Sequence, residues 1–106
     1  MWTIKYHPAV EKDLNKMDDS VKKIVLKGIV KVAENPLPQK EGGYGKPLGN
    51  KTGNNLTHLL KIKYKKIGIR VVYKLFRTEK EMYVLVIAAR ADNEVYNIAK
   101  ERKSAY

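Results

Sequence analysis

The order of hydrophobic and polar positions in the first third of the chain predicts one short strand and two helices. Residues 2–6 alternate and are rich in strand formers, which is typical of a strand. Apolar side chains then recur at helical spacing over residues 9–17 and again over residues 21–33, where lysines take the outer positions. Residues 18–20 are Asp-Asp-Ser and offer capping oxygens for the second helix, which the Asn-Pro pair at residues 35–36 ends.

Three strand-like stretches occupy the second half of the chain. Over residues 56–64 the even positions are mostly apolar and the odd positions mostly polar, with Leu59 as the exception. Residues 69–77 also alternate, with apolar side chains at the odd positions 69, 71, 73 and 75, and a turn at residues 66–68 joins the two stretches. Residues 82–89 are apolar on both faces, which favours a central strand that is covered on both sides.

A long irregular connection, residues 37–55, joins the two halves. It holds five of the seven glycines and includes a possible short strand near residues 44–48. A loop of this length in a small domain is either functional or wrapped over the core. A short final helix is predicted over residues 92–99. The order β-α-α-(β)-β-β-β-α predicts an α+β fold: an antiparallel sheet of about four strands, two N-terminal helices and a short C-terminal helix.

Composition limits the chain to a few classes of protein. Its 106 residues fit one domain. It has no cysteine, which excludes a disulfide scaffold, a thiolate metal site and a cysteine nucleophile, and its two histidines cannot form a histidine-rich metal site. No apolar run approaches the roughly 18 residues of a membrane span, and the N-terminus lacks the apolar core of a signal peptide. We expect one cytoplasmic domain over residues 1–106, with no metal or other cofactor.

Charge points to the class of partner. The chain carries 22 Lys and Arg against 11 Asp and Glu, a formal net charge of +11. Residues 56–77 hold seven of the basic side chains and no acidic one, and strand periodicity places several of them on one face. Such a patch suits the phosphate backbone of a nucleic acid, although lysines also serve as a solvated sheet face. If the patch binds nucleic acid, we expect Lys65, Lys66 and Lys74 to contact RNA.

Several motifs together resemble one protein family. Lys-x-Lys at residues 61–63, Gly-x-Arg-x-Val-Tyr at residues 68–73 and Arg-x5-Tyr at residues 90–96 are similar to those of the RelE-like toxins of type II toxin–antitoxin modules. The early strand and the two helices agree, so the resemblance spans nearly the whole chain. It implies a RelE/ParE-like fold and an mRNA interferase, a metal-independent endoribonuclease that cuts mRNA in the ribosomal decoding site, inhibits translation and is silenced by a cognate antitoxin. The family's catalytic positions fall on Lys61, Lys63, Arg70, Arg90 and Tyr96.

Each of these side chains can be given a chemical role. Cleavage through the 2′-hydroxyl needs a base, cations for the charge that develops on phosphorus, and an acid for the leaving 5′-oxygen. A lysine crowded by like charges gives up its proton more readily, so Lys61 or Lys63 could serve as the base. Arg70 would hold the scissile phosphate bidentately, and Arg90 would stabilise charge or help to protonate the leaving oxygen. Tyr96 would stack on or orient the flanking base; the alternative is a core tyrosine with a satisfied hydroxyl.

One position departs from the family pattern, and two other functions compete with the nuclease. Many family members carry an acidic residue directly after the arginine that matches Arg90, where this chain has Ala91. The difference could leave Arg90 less well oriented and attenuate the activity.

A ParE-type toxin shares the fold and inhibits DNA gyrase, but such proteins typically lack the lysine and arginine set that this chain retains. A non-catalytic nucleic-acid-binding module could use the same basic patch.

Overall fold

A computed structural model describes residues 1–49, 56–89 and 92–104. The strands are β1 (Thr3–Tyr6), β2 (Lys46–Gly49), β3 (Leu56–Tyr64), β4 (Ile69–Phe76) and β5 (Glu81–Ala88). The helices are α1 (Val10–Asn15), α2 (Asp19–Ala33) and α3 (Asp92–Ser104), with a 3-10 turn at Gln39–Glu41 before β2. Within the described residues, no helix has both the length and the apolar composition that a membrane crossing requires. The predicted α+β class is confirmed.

The two N-terminal helices form where the hydrophobic pattern places them. Because apolar residues recur every three or four positions, α2 buries one stripe, which consists of Val25, Ile29, Val32 and Ala33. Asp18 occupies the N-cap of α2 in an extended conformation, as the sequence predicts, but its side chain makes no capping hydrogen bond. The end of α2 agrees with the prediction, because a residue that precedes a proline such as Pro36 is disfavoured in a helix.

The five strands form one sheet in the order β1-β5-β4-β3-β2. The predicted hairpin of β3 and β4 is present, with Leu60 opposite Tyr73 and Lys63 opposite Arg70. All neighbouring strands are antiparallel except β1, which lies at one edge and runs parallel to β5. Strands that a short turn connects must be antiparallel, whereas β1 and β5 lie far apart in the sequence and are free of that constraint. The sheet is therefore mostly antiparallel, and its five strands agree roughly with the expected sheet of about four, the possible short strand near residues 44–48 being β2.

Helices cover the sheet on both faces. The α1 and α2 side buries a core to which the sheet contributes Leu60, Ile69, Val71, Tyr73, Met82, Val84 and Ile87. The α3 side buries a second core to which the sheet contributes Leu48, Leu59, Val72, Tyr83, Leu85, Val86 and Ala88. The second core explains why Leu59 is apolar at a position where the alternation predicts a polar residue.

α3 is longer than the sequence predicts, and an ion pair anchors its additional turn. Arg102 donates to both carboxylate oxygens of Asp13 in α1, from Nη1 at 2.7 Å and from Nη2 at 3.1 Å. It also donates to the carbonyl of Leu85 in β5 at 2.8 Å. The Arg102 and Asp13 side chains are only 17% and 11% exposed. Because Asp13 and Arg102 lie far apart in the sequence, no local pattern indicates this end of α3.

The start of the long connection after α2 packs over the α1 and α2 face, in agreement with one of the two expectations for it. The Tyr73 hydroxyl, buried in this face, donates to the carbonyl of Pro36 at 2.8 Å. Arg77 at the end of β4 holds both carboxylate oxygens of Glu41 at 2.8 Å. These contacts fasten the start of the connection to the sheet. Its residues 50–55 lie outside the described part of the chain.

Candidate active site

Three of the predicted basic residues meet on one face of the sheet, at the end where β3 turns into β4. Lys63 and Arg70 are directly opposite each other, so their Cβ atoms are about 5 Å apart. Lys61 faces the same side two residues earlier in β3, opposite Val72. The predicted basic face of the hairpin is therefore present. Lys63 is exposed, whereas Lys61 and Arg70 are half-buried.

A small hollow lies at the turn end of this hairpin. Its volume is about 140 Å³, and it is lined by Lys63, Tyr64, Lys65, Gly68, Ile69 and Arg70. Gly68 has φ 67°, a left-handed conformation that glycine adopts without strain. The tight turn thus brings cationic side chains of both strands to one small hollow.

Tyr96 reaches the same end of the sheet from the first turns of α3. Lys61 Nζ donates to its hydroxyl oxygen at 3.0 Å and lies 5.7 Å from the centre of its ring. The tyrosine is only 3% exposed and belongs to the core beneath α3. The ring is thus covered in this structure, in part by the side chain of Lys61, and the role of Tyr96 in stacking on or orienting a base stays a prediction from the sequence.

The three lysines predicted as RNA contacts fall into two groups. Lys65 and Lys66 are both exposed in the turn, but only Lys65 lines the small hollow, whereas Lys66 lines another one together with Ile24 of α2. Lys74 is on the same face as Arg70 but four residues along β4, roughly 13 Å away at the usual rise of a strand. Its amine lies 4.9 Å from the ring centre of Phe76 and 5.8 Å from that of Tyr83.

The surroundings of Lys74 also change its acidity. Burial lowers the pKa of its amine, and the positive charge of Lys103 in the last turn of α3 lowers it further. α3 thus lies along the sheet, with Tyr96 near Lys61 and Lys103 near Lys74. The structure therefore brings Lys65 to the candidate site, places Lys66 in the adjoining turn and leaves Lys74 at the opposite end of the helix.

Two residues that matter to the prediction are not described by the structure. Arg90, predicted to stabilise charge or protonate the leaving oxygen, lies outside the described residues, as does Ala91. β5 ends at Ala88 and α3 begins at Asp92. The role of Arg90 and the effect of Ala91 therefore stay predictions from the sequence.

Tyr64 supports the site from the opposite face, which the sequence pattern does not indicate. Its hydroxyl donates to the carbonyl of Val25 in α2 at 2.7 Å. Burial, and to a smaller degree the nearby Tyr6, raises the pKa of Tyr64 to about 12. The hydroxyl thus stays protonated and keeps β3 fixed to α2 directly beside Lys63. In the sequence, Tyr64 is one apolar position among several in an alternating strand.

No protein-family model matches the chain, and none of the curated proteins matches it. Solved structures do resemble it. A mutant of the Escherichia coli toxin RelE in the free state gives a TM-score of 0.73 at 23% sequence identity, covering 95% of this chain and 96% of that chain. The intact E. coli RelBE toxin–antitoxin complex gives 0.64 at 20% identity, covering 86% and 99%. The RelBE2 toxin–antitoxin complex of Mycobacterium tuberculosis gives 0.58 at 18% identity, covering 84% and 98%. The chain therefore has the fold of the RelE toxins, as the sequence motifs imply.

Proposed function

We propose that residues 1–106 form a single toxin domain of a type II toxin–antitoxin module, an endoribonuclease that cuts mRNA in the ribosomal decoding site and inhibits translation in the cytoplasm. The observation that carries the proposal is the meeting of Lys61, Lys63 and Arg70 on one face of β3 and β4. The RelE-like fold supports a toxin with a cognate antitoxin as its partner. The net charge of +11 supports an RNA substrate.

In the proposed reaction the RNA's own 2′-oxygen attacks the neighbouring phosphorus. A 2′-O–P bond forms and the P–O5′ bond breaks, which leaves a 2′,3′-cyclic phosphate on one product and a 5′-hydroxyl on the other. Lys61 or Lys63 accepts the proton of the 2′-hydroxyl as the general base. Arg70 holds the non-bridging oxygens and stabilises the charge that develops on them. Arg90 stabilises charge at the leaving 5′-oxygen or helps to protonate it. This chemistry needs cations and a base but no metal ion.

Single-turnover cleavage on ribosomes programmed with a short mRNA tests the proposal. Arg70→Ala and Arg90→Ala should lower the cleavage rate by about 10²–10³ and affect ribosome binding little, because charge that stabilises only the transition state acts on turnover. Lys61→Ala and Lys63→Ala should slow cleavage and weaken ribosome binding together, because both lysines face the phosphate. Lys23→Ala, at an exposed position of α2, is the matched control and should keep the wild-type rate.

The outcomes separate the competing functions. Wild-type cleavage rates for both arginine variants would overturn the nuclease assignment. Binding of mRNA without cleavage, with no 2′,3′-cyclic phosphate among the products, would point to a non-catalytic module. Inhibition of DNA gyrase in place of mRNA cleavage would point to the ParE type.

Substitution of Ala91 tests the departure from the family pattern. Ala91→Glu places a carboxylate beside Arg90, where it could orient the guanidinium by a charge-assisted hydrogen bond. A marked gain in the single-turnover rate would show that the chain is an attenuated form of the enzyme. An unchanged rate would show that other groups orient Arg90.

A further inference from the structure

A second hollow lies on the α1 and α2 face of the sheet, at the end of the hairpin away from the β3–β4 turn. Its volume is about 230 Å³, and it is lined by Pro38, Lys40, Glu41, Pro47, His58, Leu60, Leu75 and Arg77. His58 lies five residues before Lys63 in β3, roughly 16 Å away at the usual rise of a strand, and on the opposite face of the sheet. This connection hollow is therefore separate from the candidate active site.

The walls of the connection hollow are mostly apolar. Leu60 of β3 and Leu75 of β4 line it from the sheet, and two prolines, Pro38 and Pro47, line it from the long connection. The exposed His58 adds a flat imidazole ring. Unpaired RNA bases are bound on apolar surfaces and on aromatic side chains, histidine included. Such walls suit the face of a base.

The charged side chains of the hollow include a guanidinium that already binds an anion. Arg77 donates to both carboxylate oxygens of Glu41 at 2.8 Å. A guanidinium binds carboxylate and phosphate in the same planar, two-bonded geometry. Lys40 also lines the hollow and lies close enough to Glu41 to lower the pKa of its carboxyl. Glu41 thus occupies the place that a phosphate would take, with a second cation beside it.

The pair of Arg77 and Glu41 can be opened at little cost. The two side chains are 55% and 37% exposed. Exposed ion pairs contribute little to stability, because water solvates both partners when they separate. The hydrogen bond from Arg77 is the main reason why the pKa of Glu41 is lowered, so this carboxylate stays charged and competes with any other anion for the guanidinium.

We propose that the connection hollow binds one nucleotide of RNA: the base lies on the apolar walls beside His58, and the phosphate replaces Glu41 at Arg77. The proposal rests on the proposed function in its choice of RNA, which the net charge of +11 also favours. Because the hollow lies on the other face of the sheet from Lys63 and Arg70, it adds to the affinity for RNA and takes no part in the chemical step.

Titration with adenosine 5′-monophosphate (AMP), followed by NMR at the methyl signals of Leu60 and Leu75, tests the site without ribosomes. AMP should shift both signals and bind about tenfold more tightly than adenosine or inorganic phosphate, because only AMP engages both the walls and Arg77. Equal affinities for AMP and phosphate would leave a mere anion contact and overturn the proposal. Shifts caused by the acidic peptide acetyl-Glu-Leu-Glu-amide and not by AMP would assign the hollow to a protein partner and overturn it as well.

Two variants that remove one acidic charge each test the exchange at Arg77. Glu41→Gln removes the competing carboxylate and should tighten AMP binding about threefold, since a neutral amide holds the guanidinium less strongly. Glu11→Gln, at an exposed position of α1, changes the net charge equally and should leave the affinity unchanged. Unchanged or weaker binding in Glu41→Gln would overturn the replacement of Glu41 by phosphate. Equal tightening in both variants would assign the effect to the overall charge and overturn it too.

Ribosome binding tests whether the nucleotide belongs to an RNA chain. Lys40→Ala and Arg77→Met should each weaken the affinity for programmed ribosomes about threefold to tenfold and leave the single-turnover cleavage rate at saturation unchanged. Lys5→Ala, exposed in β1 at the other edge of the sheet, is the matched control and should keep the wild-type affinity.

A parallel measurement on ribosomes without mRNA identifies the source of the nucleotide. The same weakening there would identify ribosomal RNA, and weakening only in the presence of mRNA would identify the message. Wild-type affinity of both variants in both measurements would overturn the assignment to RNA. If the wild-type protein fails to cleave mRNA, the proposed function falls, while the AMP titration still decides whether the hollow binds a nucleotide.

Discussion

Gly28 allows α2 to pack directly on the ring of Tyr64. A Cβ built on Gly28 would overlap the hydroxyl and ring atoms of Tyr64. The same hydroxyl donates to the carbonyl of Val25 at 2.7 Å, one turn earlier in the helix. The absent side chain therefore makes room for the contact that fixes β3 beside Lys63.

We predict that Gly28→Ala destabilises the protein despite the better helix propensity of alanine. Overpacking of a core typically costs ~1–3 kcal/mol, and alanine recovers up to ~1 kcal/mol in a helix, so we expect a net loss of up to ~2 kcal/mol. Urea denaturation measures this change in the free energy of unfolding. Lys27→Ala, at the preceding exposed position, is the control and should stay within ~0.5 kcal/mol of the wild type. Equal stability of Gly28→Ala and the wild type would mean that the Tyr64 ring moves aside freely.

The buried hydroxyl of Tyr64 should make the protein sensitive to alkali. Its pKa is about 12 in the folded protein against an ordinary value of 10.0, so the unfolded chain loses this proton first. This difference in the pKa of Tyr64 adds to the free energy of unfolding. The added stability is fully present below pH 10 and disappears as the pH rises through about 12. Burial also raises the pKa of Tyr73, which contributes in the same direction.

Urea denaturation between pH 8 and 12 measures this contribution. Tyr64→Phe should be less stable than the wild type at pH 8, because the hydrogen bond to Val25 is lost. Its stability should then fall less steeply above pH 10. Tyr44→Phe, at an exposed tyrosine, should follow the wild-type curve. A Tyr64→Phe curve parallel to that of the wild type would assign the alkaline loss to other groups.

At the level of elements, the Asp13–Arg102 pair joins α1, β5 and α3. Besides Arg102, Asp13 accepts a hydrogen bond from the backbone N–H of Ile87 in β5 at 3.0 Å. Arg102→Met would leave the Asp13 carboxylate largely buried without its cation. Removal of one partner of a buried pair typically costs ~3–5 kcal/mol, and we expect a loss of this order in urea denaturation.

The exposed pair Arg77–Glu41 offers a control with the same bidentate geometry. Its side chains are 55% and 37% exposed, so water and salt screen the interaction. Arg77→Met should therefore change the stability far less than Arg102→Met. The double variant Asp13→Leu with Arg102→Met should recover part of the loss, since no buried charge is then unpaired. Equal losses for Arg77→Met and Arg102→Met would show that burial does not govern the strength of these pairs.

The elements whose positions follow from the sequence are those specified by local periodicity and turns. α2 and the β3–β4 hairpin were predictable, since their apolar spacing and the turn near Gly68 lie within each segment. The pairing of β1 with β5 was not predictable, because a four-residue strand carries no information about which distant strand it joins. The end of α3 was also not predictable, since its last turn is charged and depends on the contact of Arg102 with Asp13.

In the candidate site, too, features set by local periodicity were predictable, and features set by contacts between distant elements were not. The cross-strand pair of Lys63 and Arg70 follows from the hairpin register, which a short turn determines. The burial of Tyr96 and the separation of Lys74 from the site depend on how α3 lies across the sheet. That placement results from the packing of two elements far apart in the sequence, and strand periodicity contains no information about it.

At the level of the whole molecule, the net charge of +11 should govern association with the proposed antitoxin. An acidic amphipathic segment would be attracted over a distance that salt shortens to about 10 Å at 0.1 M. We predict that the association rate with the cognate antitoxin falls steeply as salt is raised, and stopped-flow mixing measures this rate. A rate and an affinity that are both independent of salt would show that apolar burial alone drives the complex.

The salt dependence of RNA binding can separate the contribution of the whole-molecule charge from that of the basic site at the end of the β3–β4 hairpin. Each phosphate of a single strand that a cation neutralises contributes about 0.7 to the slope of log Kd against log salt. Lys63→Ala and Lys65→Ala should each reduce this slope by about 0.7 for a single-stranded RNA oligonucleotide. Lys23→Ala removes the same charge from α2, which packs on the opposite face of the sheet, and should leave the slope unchanged. Since all three variants have the same net charge, an equal change in all three would mean that RNA responds to the overall field and not to the end of the β3–β4 hairpin.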